Sequence, residues 1–280
     1  MKGKVLISGA SGYVGSEIAK YLHEQGYEVV SLGRNKRGTY RNIEYSLGAN
    51  LASQDLEFFD VLIHCAYDFG PLTWGEIKTK NVDSAEKLFS QAKLCGIEKI
   101  ILISSMSSFK DTQSTYGKAK KAIENHAINH GAICIRPGVV WGRSSKGLVG
   151  TLKKMAGFPI LPIIGHQADI YTCFDQDLAI LCSKLINAFN PESIYYAANP
   201  APIKFSALMK TLAKAGNNRP MLIPVPWQPI YYSLKFLEII FRKSIVFRSD
   251  SVKGLMAANP NPNFTSTNEL NLKQRTFGDI

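Results

Sequence analysis

The sequence predicts an α/β fold in which a doubly wound parallel sheet carries helices on both faces. Three observations predict it. Short β-favouring apolar runs alternate with helix-period segments from Lys4 to Ala197, the order of repeated strand–helix–strand units. The run at residues 60–66, Asp-Val-Leu-Ile-His-Cys-Ala, is nearly continuous in apolar character, as in a strand covered on both faces. A glycine-rich turn joins the first strand to the first helix. The 280 residues suffice for one sizeable domain of this kind and a smaller lobe.

The first strand is Lys4-Val5-Leu6-Ile7, and Val14, Ile18 and Leu22 then recur every four residues, marking a helix with one buried face. Between them lies Ser8-Gly9-Ala10-Ser11-Gly12-Tyr13-Val14-Gly15. Gly9 permits a tight turn, Gly12 has no side chain to hold a pyrophosphate off the backbone, and Gly15 lets the helix pack closely on the strand. The helix N-terminus offers unpaired N–H groups and partial positive charge to phosphates. As a bare pattern, Gly-x-x-Gly-x-x-Gly is only a glycine-containing turn. Its place between strand and helix makes it a dinucleotide site, formed by Gly9, Ser11, Gly12, Tyr13, Val14 and Gly15. The fold is then of the Rossmann type.

Gly26 ends the first helix, residues 27–32 form the second strand, and Gly33-Arg34-Asn35-Lys36-Arg37 follows. NAD sites place an acidic residue at the end of this strand, against the adenosine ribose. Here glycine and arginine stand instead. Arg34, helped by Lys36 or Arg37, suits a 2′-phosphate through charge-assisted hydrogen bonds, so NADP is expected over NAD. The plainer alternative is a solvated basic loop. Residues 43–47 read as a third strand, 51–58 as a short helix, and 60–66 as a buried strand whose His64 is a packed histidine rather than a base. A helix over 79–95 carries Leu88 and Ala92 at core spacing, and Gly96 stops it.

The strand at 99–105 ends in Ser104-Ser105, and Tyr116-Gly117-Lys118-Ala119-Lys120 opens a helix that runs to about Asn129. Tyr116 and Lys120 lie one turn apart on one face. A tyrosine titrates near pH 10, too high for a base at neutral pH, and an adjacent ammonium lowers that value. A phenol so tuned accepts a proton from an alcohol or donates one to a carbonyl. Ser105 hydrogen-bonds the same substrate oxygen.

These features, in this order, resemble the short-chain dehydrogenase/reductase superfamily. Residues 132–142, with Arg136-Pro137-Gly138 and then Trp141-Gly142, resemble its extended branch, the sugar-nucleotide epimerases, dehydratases and reductases. The resemblance covers residues 1 to about 215. It implies that Lys120 also binds the nicotinamide ribose, that Pro137 backs the nicotinamide, and that Ala66, in Cys65-Ala66-Tyr67, lines the cofactor. It further implies that Asn81 holds a helix open for a proton-relay water. Residues 170–179 look like the branch's strand and Asp-capped helix, and 195–200 like its last core strand. The implied division is a dinucleotide-binding domain at 1–142, to which 170–199 returns, and a substrate lobe at 143–169 and 200–280. Ser105 is followed by Met106-Ser107 and not by an acidic pair, which argues against a 4,6-dehydratase. No cysteine stands where epimerase/reductases acting at C3 and C5 carry one. What remains is epimerisation or redox chemistry at a hydroxyl or keto group of a nucleotide-activated sugar. The alternatives are reduction of a non-sugar ketone and a non-catalytic NADP-binding sensor or scaffold.

The chain carries a net charge of +11. No basic block with interleaved aromatics marks a nucleic-acid surface. Between Ala201 and Lys253 nine Lys/Arg face two acids, which suits an anionic substrate or an anionic membrane surface. A helix at 230–242 places Ile230, Leu234, Leu237 and Phe241 on an apolar face, with Lys235, Arg242 and Lys243 outside. It is expected to pack on the substrate lobe, with peripheral contact to a membrane or to a lipid-linked substrate as the alternative. Five cysteines without Cys-x-x-Cys spacing read as buried free thiols, and no metal site is expected. No apolar run spans a membrane and no signal-peptide core opens the chain, so a cytoplasmic location is expected. The helices at 80–95 and 115–129 are the expected route to a homodimer.

Overall fold

A computed structural model of the chain describes residues 2–34, 40–142, 144, 147–241 and 248–278. Lys36, Arg37, Arg242 and Lys243 lie outside the described residues. The chain begins β1 (Lys4–Ser8), α1 (Tyr13–Glu24), β2 (Glu28–Gly33), β3 (Arg41–Glu44), α2 (Ser53–Leu56) and β4 (Val61–His64). It continues with α3 (Trp74–Ile77), a π-helical turn (Lys78–Asp83), α4 (Ser84–Leu94), β5 (Lys99–Ile103), α5 (Thr115–Asn129) and β6 (Ile133–Pro137). After β7 (Val139–Trp141) come α6 (Gly147–Met155), β8 (Ile160–Ile163), β9 (Asp169–Ile170), β10 (Thr172–Phe174), α7 (Asp175–Ile186) and β11 (Ile194–Ala197). The remainder is β12 (Ile203–Lys204), α8 (Phe205–Ala215), β13 (Met221–Pro224), α9 (Trp227–Phe241), α10 (Ser249–Met256) and α11 (Thr265–Glu269).

Seven strands form one parallel sheet in the order β11-β6-β5-β4-β1-β2-β3. Strand order reverses at β1, between β2 and β4, and ligands of doubly wound sheets bind outside the carboxyl ends of strands at such a switch point. Alternation along the strands builds a core on each face. Val5, Ile7, Ile63 and Ile101 pack on Ile18 and Leu22 of α1 and on Leu178 and Leu185 of α7. Leu6, Leu62, Ile100 and Leu102 pack on Leu88 and Phe89 of α4 and Ile123 of α5. A separate apolar cluster joins α6 and α8 through Val149, Leu152, Leu208 and Leu212, beside the short pairings β8 with β13 and β9 with β12.

The third strand ends at Glu44 rather than at Leu47. The helix expected from residue 79 begins five residues earlier, because Thr73 and Glu76 form a reciprocal capping box at Trp74. Asp175 does not cap α7 with its side chain. Phe174 holds the cap position, and Asp175 is the first helical residue. Its carboxylate is engaged elsewhere, one oxygen by the Gln176 N–H and the other by the Tyr13 hydroxyl at 2.9 Å.

Candidate active site

The glycine turn leaves β1 at Gly9, whose φ of +75° favours glycine. A side chain there would meet the backbone of Ala66 at 2.8 Å, so the turn after β1 lies directly on the turn after β4. Gly15 is needed for a reason internal to the turn. A Cβ on it would stand 2.3 Å from the Gly9 carbonyl oxygen. Gly12 is the N-cap of α1, no side chain caps that helix, and no acid sits in its first turn. The start of α1 thus combines close-packed glycine backbone, uncapped N–H groups and the positive end of a helix dipole, which fits a pyrophosphate. Burial and the Asp175 carboxylate push Tyr13 above the usual range for a phenol. We predict that Gly15→Ala weakens binding of the nicotinamide dinucleotide by at least about tenfold while the sheet stays folded, measured by fluorescence titration with NADPH and NADH, because the methyl group must displace the Gly9 carbonyl. Unchanged affinity would show that the turn can relax.

Arg34 is exposed at the end of β2, and the Gly9 N–H bonds the Leu32 carbonyl at 3.2 Å, which sets the two loops side by side. Arg34 has no contact with Ser105, Tyr116 or Lys120 among those described.

Ser105 and Tyr116 come together, and Lys120 stands 5.2 Å from the Tyr67 ring, which itself meets Tyr116. Ser105 hydrogen-bonds the Tyr116 hydroxyl and also accepts the Ser107 N–H at 3.1 Å. Lys120, only 3% exposed, donates to the Ile103 carbonyl at 2.9 Å. The expected lowering of the phenol by the ammonium is not met. Burial raises Tyr116 to about 12, against the opposing effect of the Ser105 hydrogen bond. Burial likewise lowers Lys120 to about 8. Desolvation disfavours both charged forms, and burial rather than the ammonium one turn away sets the phenol.

Two aromatic rings complete the surroundings of Tyr116. Tyr67 meets it edge-on at 5.1 Å, and Phe69 stacks on it at 5.8 Å. Asn81 controls that loop. Its side-chain oxygen accepts the Asp68 N–H at 2.7 Å and its amide donates to the Asp68 carbonyl at 3.0 Å. The π-helical turn brings Asn81 to this position, a use to which such turns are often put. Pro137, buried at the end of β6, accepts the Met106 N–H at 3.0 Å and so fixes the loop after Ser105.

Three residues of this site escaped the reading from sequence. Gly117 permits close approach of α5, since a Cβ there would lie 2.2 Å from the Thr112 hydroxyl and 2.5 Å from the Ser107 carbonyl. Asp250, on α10, takes the Thr115 N–H at 2.6 Å and the Tyr116 N–H at 3.0 Å, while Ser114 takes that of Gly117. The open end of the tyrosine-bearing helix is satisfied largely from the C-terminal third. Glu124, one turn beyond Lys120, is fully buried and holds Arg136 in a two-pronged ion pair of 2.8 and 2.6 Å. Its signal was present, because 116, 120 and 124 continue a spacing of four.

His64 is buried, its Nδ1 2.7 Å from the Ser8 hydroxyl, and burial together with the Lys120 charge lowers it to about 3. Its ordinary value is 6.5. Below that pH the unfolded chain takes up a proton that the folded chain refuses until about pH 3. Stability conferred by neutral His64 is complete above the unfolded value and is lost as acid is added through this window. We expect its contribution to approach about 1.4 kcal/mol per pH unit, and His64→Asn to flatten denaturation midpoints measured against pH. An equally steep variant would assign the slope to other groups. Cys134, Cys173 and Cys182 are buried, as expected, but Cys65 and Cys95 keep partial exposure on loop and helix-end positions. Among the described residues no His/Cys/Asp/Glu group could hold a metal ion.

The chain is 26% identical over 188 residues to a ceramide reductase of Caulobacter vibrioides. That alignment covers 64% of this chain and 59% of the relative, so less than two thirds of the relative's length is spanned. Among solved structures, gox2253 aligns with a TM-score of 0.78 at 16% identity, over 99% of this chain and 95% of its own. MoeE5, in complex with UDP-glucuronic acid and NAD, aligns with a TM-score of 0.68 at 19% identity, over 80% and 86%. At such identities the solved structures establish the shared doubly wound fold. Residues 5–143, a stretch that carries both the glycine turn and Tyr116, match the NAD dependent epimerase/dehydratase family, and it is to this family of enzymes that this stretch of the chain belongs.

Proposed function

We propose that the chain is an NADP-dependent reductase of a carbonyl group, with Tyr116 as proton donor. The observation that carries this reading is the setting of Tyr116, a phenol with Ser105 at its hydroxyl and the rings of Tyr67 and Phe69 beside it. Burial pushes that phenol up to about 12, so it holds at neutral pH the proton that reduction of a carbonyl consumes. The dinucleotide, when bound, supplies the hydride. Tyr116 gives its proton to the carbonyl oxygen as the carbon is reduced, and the phenolate left behind is stabilised by the Ser105 hydroxyl. Lys120 adds positive charge one turn away and, in this reading, binds the nicotinamide ribose. Asn81 is a positioning residue that acts through Tyr67. The substrate lobe is formed by 143–169 and 200–280.

The substrate we infer has an apolar group beside its carbonyl. Phe69, 64% exposed, stacks on Tyr116, so the approach to the hydroxyl is aromatic. The Caulobacter relative, a reductase of a ceramide, supports a lipid-like ketone. A nucleotide-activated sugar is the second reading, favoured by the basic C-terminal third and by the UDP-sugar in MoeE5. Absorbance of NADPH with a long-chain ketone and with a UDP-keto-sugar separates them. Consumption with the ketone is expected. Consumption with the keto-sugar alone selects the second reading, and cofactor binding without turnover of either selects a sensor.

Cofactor choice is tested at Arg34. A charge-assisted hydrogen bond to the 2′-phosphate is worth about 1.5–3 kcal/mol. Arg34→Ala should therefore weaken NADPH roughly tenfold to a hundredfold and leave NADH unchanged. An unaltered preference would remove Arg34 from the 2′-phosphate site.

A further inference from the structure

The expected inward face of the C-terminal helix does not account for its apolar residues. None of the described side chains of α9 is buried. Tyr232, Phe236 and Ile240 recur every four residues on one face and are 67%, 63% and 55% exposed, with Leu237 beside them at 38%. The opposite face holds the inward contacts. Glu238 accepts the Ser249 N–H at 2.7 Å and its hydroxyl at 2.9 Å, and Tyr231 lies under Lys253 at 5.1 Å. The helix is therefore seated on α10 with the side that carries Tyr232, Phe236 and Ile240 outward.

We propose that this outward face docks on an anionic lipid surface, a function independent of which carbonyl is reduced. The charge around it selects the partner. Of the residues from Ala201 to Lys253 only Glu238 and Asp250 are acidic, and both are tied into the protein, Glu238 to Ser249 and Asp250 to the start of α5. Lys235 flanks the apolar stripe and Lys253 stands beside α9. An apolar stripe edged by cations, with the acids turned inward, has the character of an interfacial helix. Fifteen residues span about 22 Å, short of the roughly 30 Å of a bilayer's hydrocarbon core, and among the described residues no helix is long and apolar enough to cross. The helix lies in the interface. Pairing of this face with a second copy would bring the same basic segments together, and like charges oppose it.

The test is co-sedimentation of the full chain with phosphatidylcholine vesicles, with and without phosphatidylglycerol. The wild type should bind the anionic vesicles and bind less at raised salt. The triple variant Tyr232→Ser, Phe236→Ser, Ile240→Ser should lose binding by about tenfold or more while its circular dichroism and NADPH affinity stay unchanged. If that variant does not fold, Lys235→Glu carries the test and should weaken binding to the anionic vesicles. Absence of wild-type binding, or binding unaltered in the folded triple variant or in Lys235→Glu, overturns the proposal. So does a dimer that the triple variant converts to monomer, which would make a second copy the occupant of the face.

Discussion

Tyr116→Phe is expected to lower kcat by about 10³-fold and to leave the Kd for NADPH nearly unchanged, since general acid catalysis contributes roughly 10²–10⁴ in rate. The substitution removes one oxygen and keeps the ring on which Tyr67 and Phe69 pack. Any loss therefore reports the proton and not the packing. Ser105→Ala should be milder, about tenfold, because it removes a hydrogen bond to the phenolate that forms and not the proton itself. The pH dependence follows from the same groups. Tyr116 stays protonated up to about 12, so it imposes no fall at neutral pH. Lys120 loses its ammonium near 8, and with it the positive charge that favours phenolate. Reduction should therefore be level below about pH 8 and decline above it. Single-turnover rates across this range, with NADPH saturating, check the profile. Normal turnover by the phenylalanine variant would remove Tyr116 from the chemistry altogether.

Local chemistry was the legible part of this chain. A glycine turn between an apolar strand and a four-residue apolar repeat reads as a dinucleotide site because all its parts are contiguous. Tyr116 and Lys120 stand out as candidates because one helical turn separates them. What stayed hidden depends on distance or on burial. Asp250 reaches the Tyr116 N–H across 134 positions of chain, and no local pattern marks a carboxylate that caps a remote helix. The phenol's protonation was misread because spacing shows which charges are near and not how little water surrounds them. In α9 the expected face of Ile230 and Leu234 is half-buried beside Glu238, whereas Leu237 is exposed with a second apolar stripe, Tyr232, Phe236 and Ile240, that the sequence reading leaves out. A helix with apolar residues on both sides does not reveal from its period which side meets the protein.

The second large effect lies behind the site, at Glu124 and Arg136. Glu124→Gln, or Arg136→Met, is expected to destabilise the fold by about 3–5 kcal/mol, because each leaves a buried partner uncompensated. At about 2–4 °C per kcal/mol for a chain near this size, the melting midpoint should fall by roughly 6–20 °C. The Glu124 carboxylate accepts from Arg136 through both oxygens and from the Ser104 hydroxyl at 2.6 Å, while Arg136 also donates to the Tyr196 hydroxyl. One cluster thus joins α5 to β5, β6 and β11. Replacing both members by apolar residues, Glu124→Leu with Arg136→Met, should recover much of the loss, since an intact buried pair adds little over good packing. A double variant as unstable as the sum of the singles would instead show that the polar cluster has no apolar substitute. The functional consequence is separable. Glu124 lies one turn past Lys120 and two past Tyr116, so the pair sets the rotation of the helix that aims both. In the double variant, restored stability with kcat still depressed is the expected result, because packing alone does not hold α5 in register with Ser105 as the two-pronged bond to β6 does.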